Sequence, residues 1–394
     1  MAECVIFGAG KIARGFLAHL IQLSGHHISF VEKFPEIVDL LNNRGQYEIN
    51  ILGAPEKNCV IRNFSAVCSD DREAVCALVE KADIIFTAMG GKNLAAAAPV
   101  LTAGLHRRFA APAARPCTIV TCENWKGPAA LLRGAILENA AAEDVPLLDA
   151  LLGVTEAVIM RSAIEPTKEQ LAKDPLVVNA QDFWDLPVDK AGVAGPLPSI
   201  KHMRLIDNFG GFLDKKFYTY NAANGTVSFL GNLLGYTYIS DAARDPFILE
   251  TLGQVYSETA SALSKKLGLP LEDLAAFDKT SLAKLQDTNI VDYVERNARD
   301  PLRKLGPQDR LIGPAKMCEA FGSVPNGLAT AAAAAVHYKN PADPSATELE
   351  AMLLAHGTPY VLQQVCKLNV ADTLFGLILE KEKELCEKGY LPQK

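Results

Sequence analysis

Two groups of residues in this 394-residue chain have the types and spacing for chemistry. The first is Gly8-Ala9-Gly10-Lys11-Ile12-Ala13, which follows the apolar run Cys4 to Phe7 and opens a stretch of helical periodicity. In a G-x-G-x-x-A pattern so placed, Gly8 allows a tight turn, Gly10 lets the backbone approach a pyrophosphate, and Ala13 keeps the helix close to the sheet. Amides at the helix start and the positive end of its dipole then face the phosphates, so Ala9, Lys11 and Ile12 join the glycines as candidate cofactor contacts. Glu32 ends the next apolar run about 20 residues on, where a carboxylate accepts hydrogen bonds from ribose hydroxyls and repels a 2′-phosphate. NAD is therefore expected over NADP, with adjacent Lys33 pulling the other way. Thr87-Ala88-Met89-Gly90-Gly91 closes a later apolar run, at the carboxyl edge where open α/β sheets take ligands. Ala88, Met89 and Gly90 there are either cofactor contacts or a plain turn.

A dinucleotide cofactor implies hydride transfer, and a hydride leaves a secondary alcohol only as the hydroxyl proton is removed, by a positioned base or with the help of zinc. Neither H-E-x-x-H nor C-x-x-C occurs, so no metal is expected. The second group lies in DNFGGFLDKKFYTYNAANGTVSFL, Asp207 to Leu230, which brings Lys216, Asn221 and Asn224 close together, the two asparagines near one face if the stretch is helical. Burial disfavours the charged form of a lysine and draws its ordinary pKa of about 10.4 toward neutrality, which makes Lys216 the candidate base. Lys215 beside it reads as the solvated one.

The elements that must position these groups change character along the chain. Cys4 to Phe7, Ile28 to Val31, Ile84 to Ala88 and Thr118 to Thr121 are continuous apolar or β-branched runs, as in strands buried on both faces. Between the first two, Ile12, Phe16, Leu17, Leu20 and Ile21 recur at helical spacing, which completes a βαβ unit. Beyond about residue 200 such runs become scarce, and Asp245 to Leu267 and Thr347 to Cys366 carry helical periodicity. The fold class is therefore α/β: an N-terminal Rossmann doubly wound sheet over residues 1–194, then a mainly α-helical domain over 195–394. The Gly- and Pro-rich segment Ala191 to Pro198 reads as the linker. Ala329 to Ala335 reads as a helix whose small side chains admit a close neighbour.

Composition narrows the function classes. A net charge of −7 argues against a nucleic-acid partner, whose phosphates select basic stripes. The N-terminus lacks the pattern of a signal peptide, and no apolar run approaches the roughly 20 residues that span a bilayer, so no membrane partner and a cytoplasmic location are expected. Nine scattered cysteines fit reduced thiols better than a disulfide framework.

Longer segments then identify kin. FGAGKIARGF (Phe7 to Phe16), TCENW (Thr121 to Trp125), VDK (Val188 to Lys190), DNFGGFLDKKFYTYN (Asp207 to Asn221), PLRKL (Pro301 to Leu305), DRLIGP (Asp309 to Pro314) and VHY (Val336 to Tyr338) resemble the long-chain polyol-specific dehydrogenases over nearly the whole chain. The resemblance implies a Rossmann domain followed by a helical one, no metal, and a site between them. The family pattern K-x-x-x-x-N-x-x-H implies that Lys216 is the general base and Asn221 polarises the reacting oxygen. Asn124, in CENW, matches the asparagine that cradles the same oxygen. The implied activity is NAD-dependent interconversion of a sugar alcohol, or its phosphate, and the ketose, of the mannitol 1-phosphate/fructose 6-phosphate type, by a monomer or small homo-oligomer.

Three departures bear on that expectation. Asn224 stands where the pattern has a substrate-holding histidine; an amide donates and accepts hydrogen bonds but does not titrate near neutrality. Gly313 replaces the family's basic residue after DRLI, with Lys316 nearby, and Met160 replaces the acid before Arg161. Arg296, Arg299, Arg303, Lys304, Arg310 and Lys316 form a local concentration of positive charge, either for a sugar phosphate or for ion pairing with Asp300 and Asp309. A hexuronate reductase of the same superfamily and a catalytically impaired NAD(H)-binding sensor are the alternative readings.

Overall fold

The computed structural model describes residues 1–110 and 114–392, which form two compact units, Met1–Phe209 and Gly210–Lys394. In the first, β1 (Glu3–Phe7), β2 (His27–Glu32), β5 (Phe64–Cys68), β6 (Ile84–Thr87), β7 (Cys117–Thr121) and β8 (Leu152–Glu156) make one parallel sheet in the order β5-β2-β1-β6-β7-β8. Side chains alternate across a strand. Cys4 and Ile6 accordingly pack with Phe16 and Leu20 on one face, while Val5 and Phe7 pack with Leu94 and Leu101 on the other. Covering both faces is what makes the strands read as unbroken apolar runs. Strand order reverses between β1 and β6, the place where doubly wound sheets open a crevice beyond their carboxyl ends.

Two smaller sheets complete this unit and have no counterpart in the apolar-run reading. β3 (Tyr47–Leu52), β4 (Cys59–Ile61), β9 (Ala163–Ile164) and β10 (Val178–Gln181) form a mixed sheet, and β11 (Leu186–Asp189) pairs in parallel with β12 (Met203–Ile206). Because β12 completes that pair, the compact unit runs to Phe209, and the Gly- and Pro-rich segment lies inside it. The first helix packs on β10 so closely that a Cβ at Gly15 would stand 2.5 Å from a Val178 methyl. That helix is not uniform: Ala13–Leu17 is a π-turn leading into Ala18–Leu23.

Among the described residues of the second unit, every named element is a helix, and the loops between them add one isolated bridge, Tyr238 to Tyr293. Helix Pro246–Leu267 shows why such segments form. Asp245 accepts the amides of Phe247 (2.9 Å) and Ile248 (3.0 Å), Pro246 takes the first position, and Gly268 closes the end at φ 68°. Its buried face, Ile248, Leu252, Val255, Tyr256, Thr259 and Leu263, repeats at helical spacing. The alanines at 329–335 are all buried in helix Asn326–Val336, where a Cβ on Gly327 would meet the Val255 amide nitrogen at 2.8 Å. Thr347 to Cys366 falls mostly in Pro344–Gln364, broken at Gly357 (φ 77°) ahead of Pro359.

Candidate active site

The glycine fingerprint sits on the turn from β1 into the first helix. Gly8 adopts φ 99°, its N–H donates to Val31 O at 2.7 Å, and a Cβ would lie 2.6 Å from Ala88 O. A glycine is therefore demanded twice, by conformation and by the end of β6. A Cβ on Gly10 would meet nothing within 4 Å, so the loop is open where a pyrophosphate must come close, and Ala13 is fully buried beneath it. Lys11 and Ile12 begin the helix; Lys11 forms an ion pair with Glu165.

Glu32 is not a solvated strand end. One carboxylate oxygen accepts the Ala9 amide at 2.7 Å, and the other accepts those of Lys33 (2.7 Å) and Phe34 (3.2 Å). Backbone donors thus hold the carboxylate against the fingerprint loop, with lone pairs left for ribose hydroxyls. These residues fit a dinucleotide.

The Ala88-Met89-Gly90 turn is organised by Glu123, which lies inside the TCENW segment but was given no role there: its carboxylate, itself buried, accepts the amides of Met89 (3.0 Å) and Gly90 (2.8 Å). Trp125 lies over Gly91, where a Cβ would come 2.3 Å from the indole. Asn124, between Glu123 and Trp125, is exposed beyond the carboxyl end of β7. Arg161 serves the packing of the first unit, with Nε on Gln181 O (2.8 Å), Nη1 on Gly15 O (3.0 Å) and the guanidinium 4.3 Å from the Trp184 ring.

In the second unit a single helical rod runs through Phe209–Lys216, a π-turn at Phe217–Asn221, and Ala222–Leu233. The π-turn matters because its hydrogen bonds join residues five apart, so the wider turn rotates Asn221 back toward the face of Lys216. Asn221 and Asn224 are a further three apart and neighbour each other on that helix. Neither the Lys216 ammonium nor the Asn221 amide has a hydrogen-bond or ion-pair partner among the described residues. Burial holds the Lys216 pKa below the ordinary lysine range, and the positive charge of Arg310 adds to this. Lys215 turns away, with Nζ 4.7 Å from the Phe277 ring.

Around Lys216 the unit gathers further cations. Lys284, on Leu271–Leu285, has its ammonium 4.9 Å from the Tyr220 ring; burial, and then the charge of Lys216, bring it down to about 8. Lys304 is 5% exposed, donates to Asn297 O, and is lowered to about 7 by burial and by Arg310 and Arg303. Arg310 is anchored to Asp309 at 2.9 Å, and its stem lies against Gly225, one residue past Asn224. The basic concentration therefore divides. Arg296 pairs with Asp292 (2.8 Å) and Arg303 with Asp300 (2.6 Å) at the surface, as ion pairing requires, while Lys304 and Arg310 turn inward. Lys316 lies where its positive charge acts on the Cys366 thiol and the Glu319 carboxyl.

Asn224 is buried and donates from Nδ2 to Asn297 Oδ1 at 3.2 Å. Lys284 and Asn297 lie on other helices, and no spacing in the sequence signals them. No group of three or more His, Cys, Asp or Glu among the described residues could hold a metal ion. A cleft of about 650 Å³ in the same unit, lined by Phe247, Glu258, Lys381 and Lys388, includes none of the candidate catalytic residues.

A doubly wound sheet bearing this fingerprint, joined to a helical unit that carries a half-buried lysine and two nearby side-chain amides, defines an NAD-dependent oxidoreductase of the polyol dehydrogenase superfamily. The sequence profile of the mannitol dehydrogenase Rossmann domain matches residues 2–202, and that of the mannitol dehydrogenase C-terminal domain matches 208–368; the chain belongs to the mannitol dehydrogenase family. It is 31% identical to the mannitol-1-phosphate 5-dehydrogenase of Bacillus velezensis over 95% of this chain and 98% of that relative. It is 30% identical to that of Thermoanaerobacter pseudethanolicus over 98% and 99%. Among solved structures, a substrate-free D-sorbitol dehydrogenase superposes with TM-score 0.82 at 16% identity, covering 98% of this chain and 94% of that one. The mannitol 2-dehydrogenase of Pseudomonas fluorescens, in ternary complex with NAD and D-mannitol, gives 0.69 at 16% identity, covering 99% and 92%. The architecture is thus shared well beyond recognisable sequence. No helix among the described residues is long and apolar enough to cross a membrane.

Proposed function

We propose that the protein interconverts a sugar alcohol, or its phosphate, and the corresponding ketose, with Lys216 as general base. The observation that carries this reading is Lys216 itself: a lysine depressed by burial, without a partner among the described residues, beside the unpartnered amide of Asn221 on the rod that also carries Asn224. NAD, when bound, accepts or delivers the hydride. Lys216 takes the hydroxyl proton as the alcohol is oxidised and returns it to the oxygen as the ketose is reduced. Asn221 holds that oxygen and stabilises the charge that develops on it, and Asn124 is the residue to which the family motif gives the same task. Gly8, Ala9, Gly10, Lys11 and Ile12 seat the pyrophosphate, Glu32 the adenosine ribose, and Ala88, Met89 and Gly90 line the edge of the cofactor site. The inward cations Lys284, Lys304 and Arg310 favour an anionic substrate, and the phosphorylated mannitol named in the 30–31% identical relatives has that character.

The test is NADH consumption across fructose 6-phosphate, fructose, other ketoses and their phosphates, and hexuronates. Turnover of fructose 6-phosphate well above fructose is the expected result. A preference for uronates would assign the cations to a carboxylate, and absence of turnover with retained NADH binding would leave a sensor.

A further inference from the structure

The structure ties Asn224 to residues outside the rod. Asn297 uses its amide nitrogen as a donor to Asp292 Oδ1 at 2.6 Å and to Tyr293 O at 3.0 Å. A carboxylate and a carbonyl only accept, so the side-chain oxygen of Asn297 must be its remaining polar face. The contact at 3.2 Å is then necessarily a donation from the Asn224 nitrogen, and the orientation of both amides follows from the network. Asn224 Oδ1 is left bonded to nothing among the described residues, and it is not among the fully enclosed unpartnered atoms.

The anchor of this chain is itself fixed. Asp292 O accepts Ile239 N and Thr237 O accepts Val294 N, both at 2.9 Å, while Arg296 Nη2 holds the Asp292 carboxylate at 2.8 Å. From below, Lys304 donates to Asn297 O. Asn297 is therefore held by backbone and side chain together before it meets Asn224.

We propose that Asp292 and Asn297 are positioning residues that lock the Asn224 amide with its nitrogen toward Asn297 and its oxygen presented to the substrate. Asn224 then selects a polyol or ketose with a hydroxyl donor at that point. The assignment rests on the reading of Lys216, Asn221 and Asn224 as the substrate site. It explains how an amide serves where a histidine is otherwise found: a carboxylate at the end of the chain decides which way the amide faces.

Kinetics of Asn297→Leu, Asn224→Ala and the double variant test the chain. Loss of one neutral hydrogen bond should raise the sugar KM roughly tenfold in each single variant, with kcat and NADH affinity little changed. The double variant should be no worse than Asn224→Ala alone, because both changes remove the same interaction. Should Asn297→Leu not fold, Asp292→Asn, which keeps the volume and removes the orienting charge, should raise KM in the same direction by a smaller factor. Unchanged KM, or effects that add, would overturn the proposal. If the natural protein turns over no polyol or ketose, it is the functional reading that fails. The relay is then judged by neutron crystal structures of the natural protein and Asp292→Asn, which tell amide nitrogen from oxygen: two orientations of the Asn224 amide in the variant support it, and an unaltered single orientation refutes it.

Discussion

Lys216 and Glu32 are both set by what surrounds them rather than by what they are. Lys216 is held below its usual range first by burial and then by Arg310, so a larger fraction is neutral, and able to take a proton, at moderate pH. The rate of alcohol oxidation is expected to rise with pH through that depressed pKa. Lys216→Ala should lower turnover by about 10²–10⁴-fold and leave NADH affinity nearly intact. Lys215→Ala, whose ammonium lies on the Phe277 ring, should be mild; equal losses from the two would move the proton elsewhere. Glu32 accepts the Ala9 amide, so Glu32→Ala should weaken NADH binding and also narrow its advantage over NADPH. Fluorescence titration with both nucleotides reads this, and an unchanged ratio would dissociate Glu32 from the ribose.

Among the elements, the turn from β1 into the first helix separates two uses of glycine. A Cβ on Gly8 meets the Ala88 carbonyl oxygen at 2.6 Å in a backbone conformation at φ 99°, whereas one on Gly10 meets nothing within 4 Å. Gly8→Ala should therefore destabilise the protein by about 1–3 kcal/mol, as a strained conformation does. Gly10→Ala should leave the melting temperature of the cofactor-free protein unchanged and still weaken NADH binding, since the added methyl occupies space a pyrophosphate needs. Thermal unfolding alongside NADH titration distinguishes the two, and a stability loss in Gly10→Ala would contradict the open loop. The π-turn at Phe217–Asn221 plays the corresponding part in the helical unit, because it decides which residues share the face of Lys216.

For the whole molecule, the buried lysines set a pH dependence of stability. Lys284 is lowered to about 8 and Lys304 to about 7, against about 10.4 in an unfolded chain. Between these values the unfolded state binds more protons than the folded one, so stability rises with pH through this window. Below the folded values both states are charged, and the full burden of keeping the charges buried falls on the fold. Lys304→Met, which keeps the apolar stem, should raise the melting temperature most near pH 6.5 and progressively less toward pH 9. A gain independent of pH would mean that Lys304 is not charged and buried together.

Local signals in the sequence were enough for the parallel sheet of the Rossmann half and pointed to its cofactor loop. A doubly buried strand is an apolar run, a tight turn is a glycine, and Cys4 to Phe7 followed by Gly8-Ala9-Gly10 carries both within a few residues. Family motifs point to Lys216, Asn221 and Asn124, although the order of the residues could not show that a π-turn lies between Lys216 and Asn224. Mixed pairing hid the second sheet: β3 pairs in parallel with β10 far along the chain, and its alternation of buried and half-buried residues gives only a weak run. The Glu32 contact with Ala9, the Glu123 clamp on the Met89 turn, and the Asp292–Asn297–Asn224 chain exist only once the chain has folded. Each depends on a hydrogen bond between residues on different elements. Its energy depends on a separation and an angle that folding sets, and residue type records only that a donor or an acceptor is present.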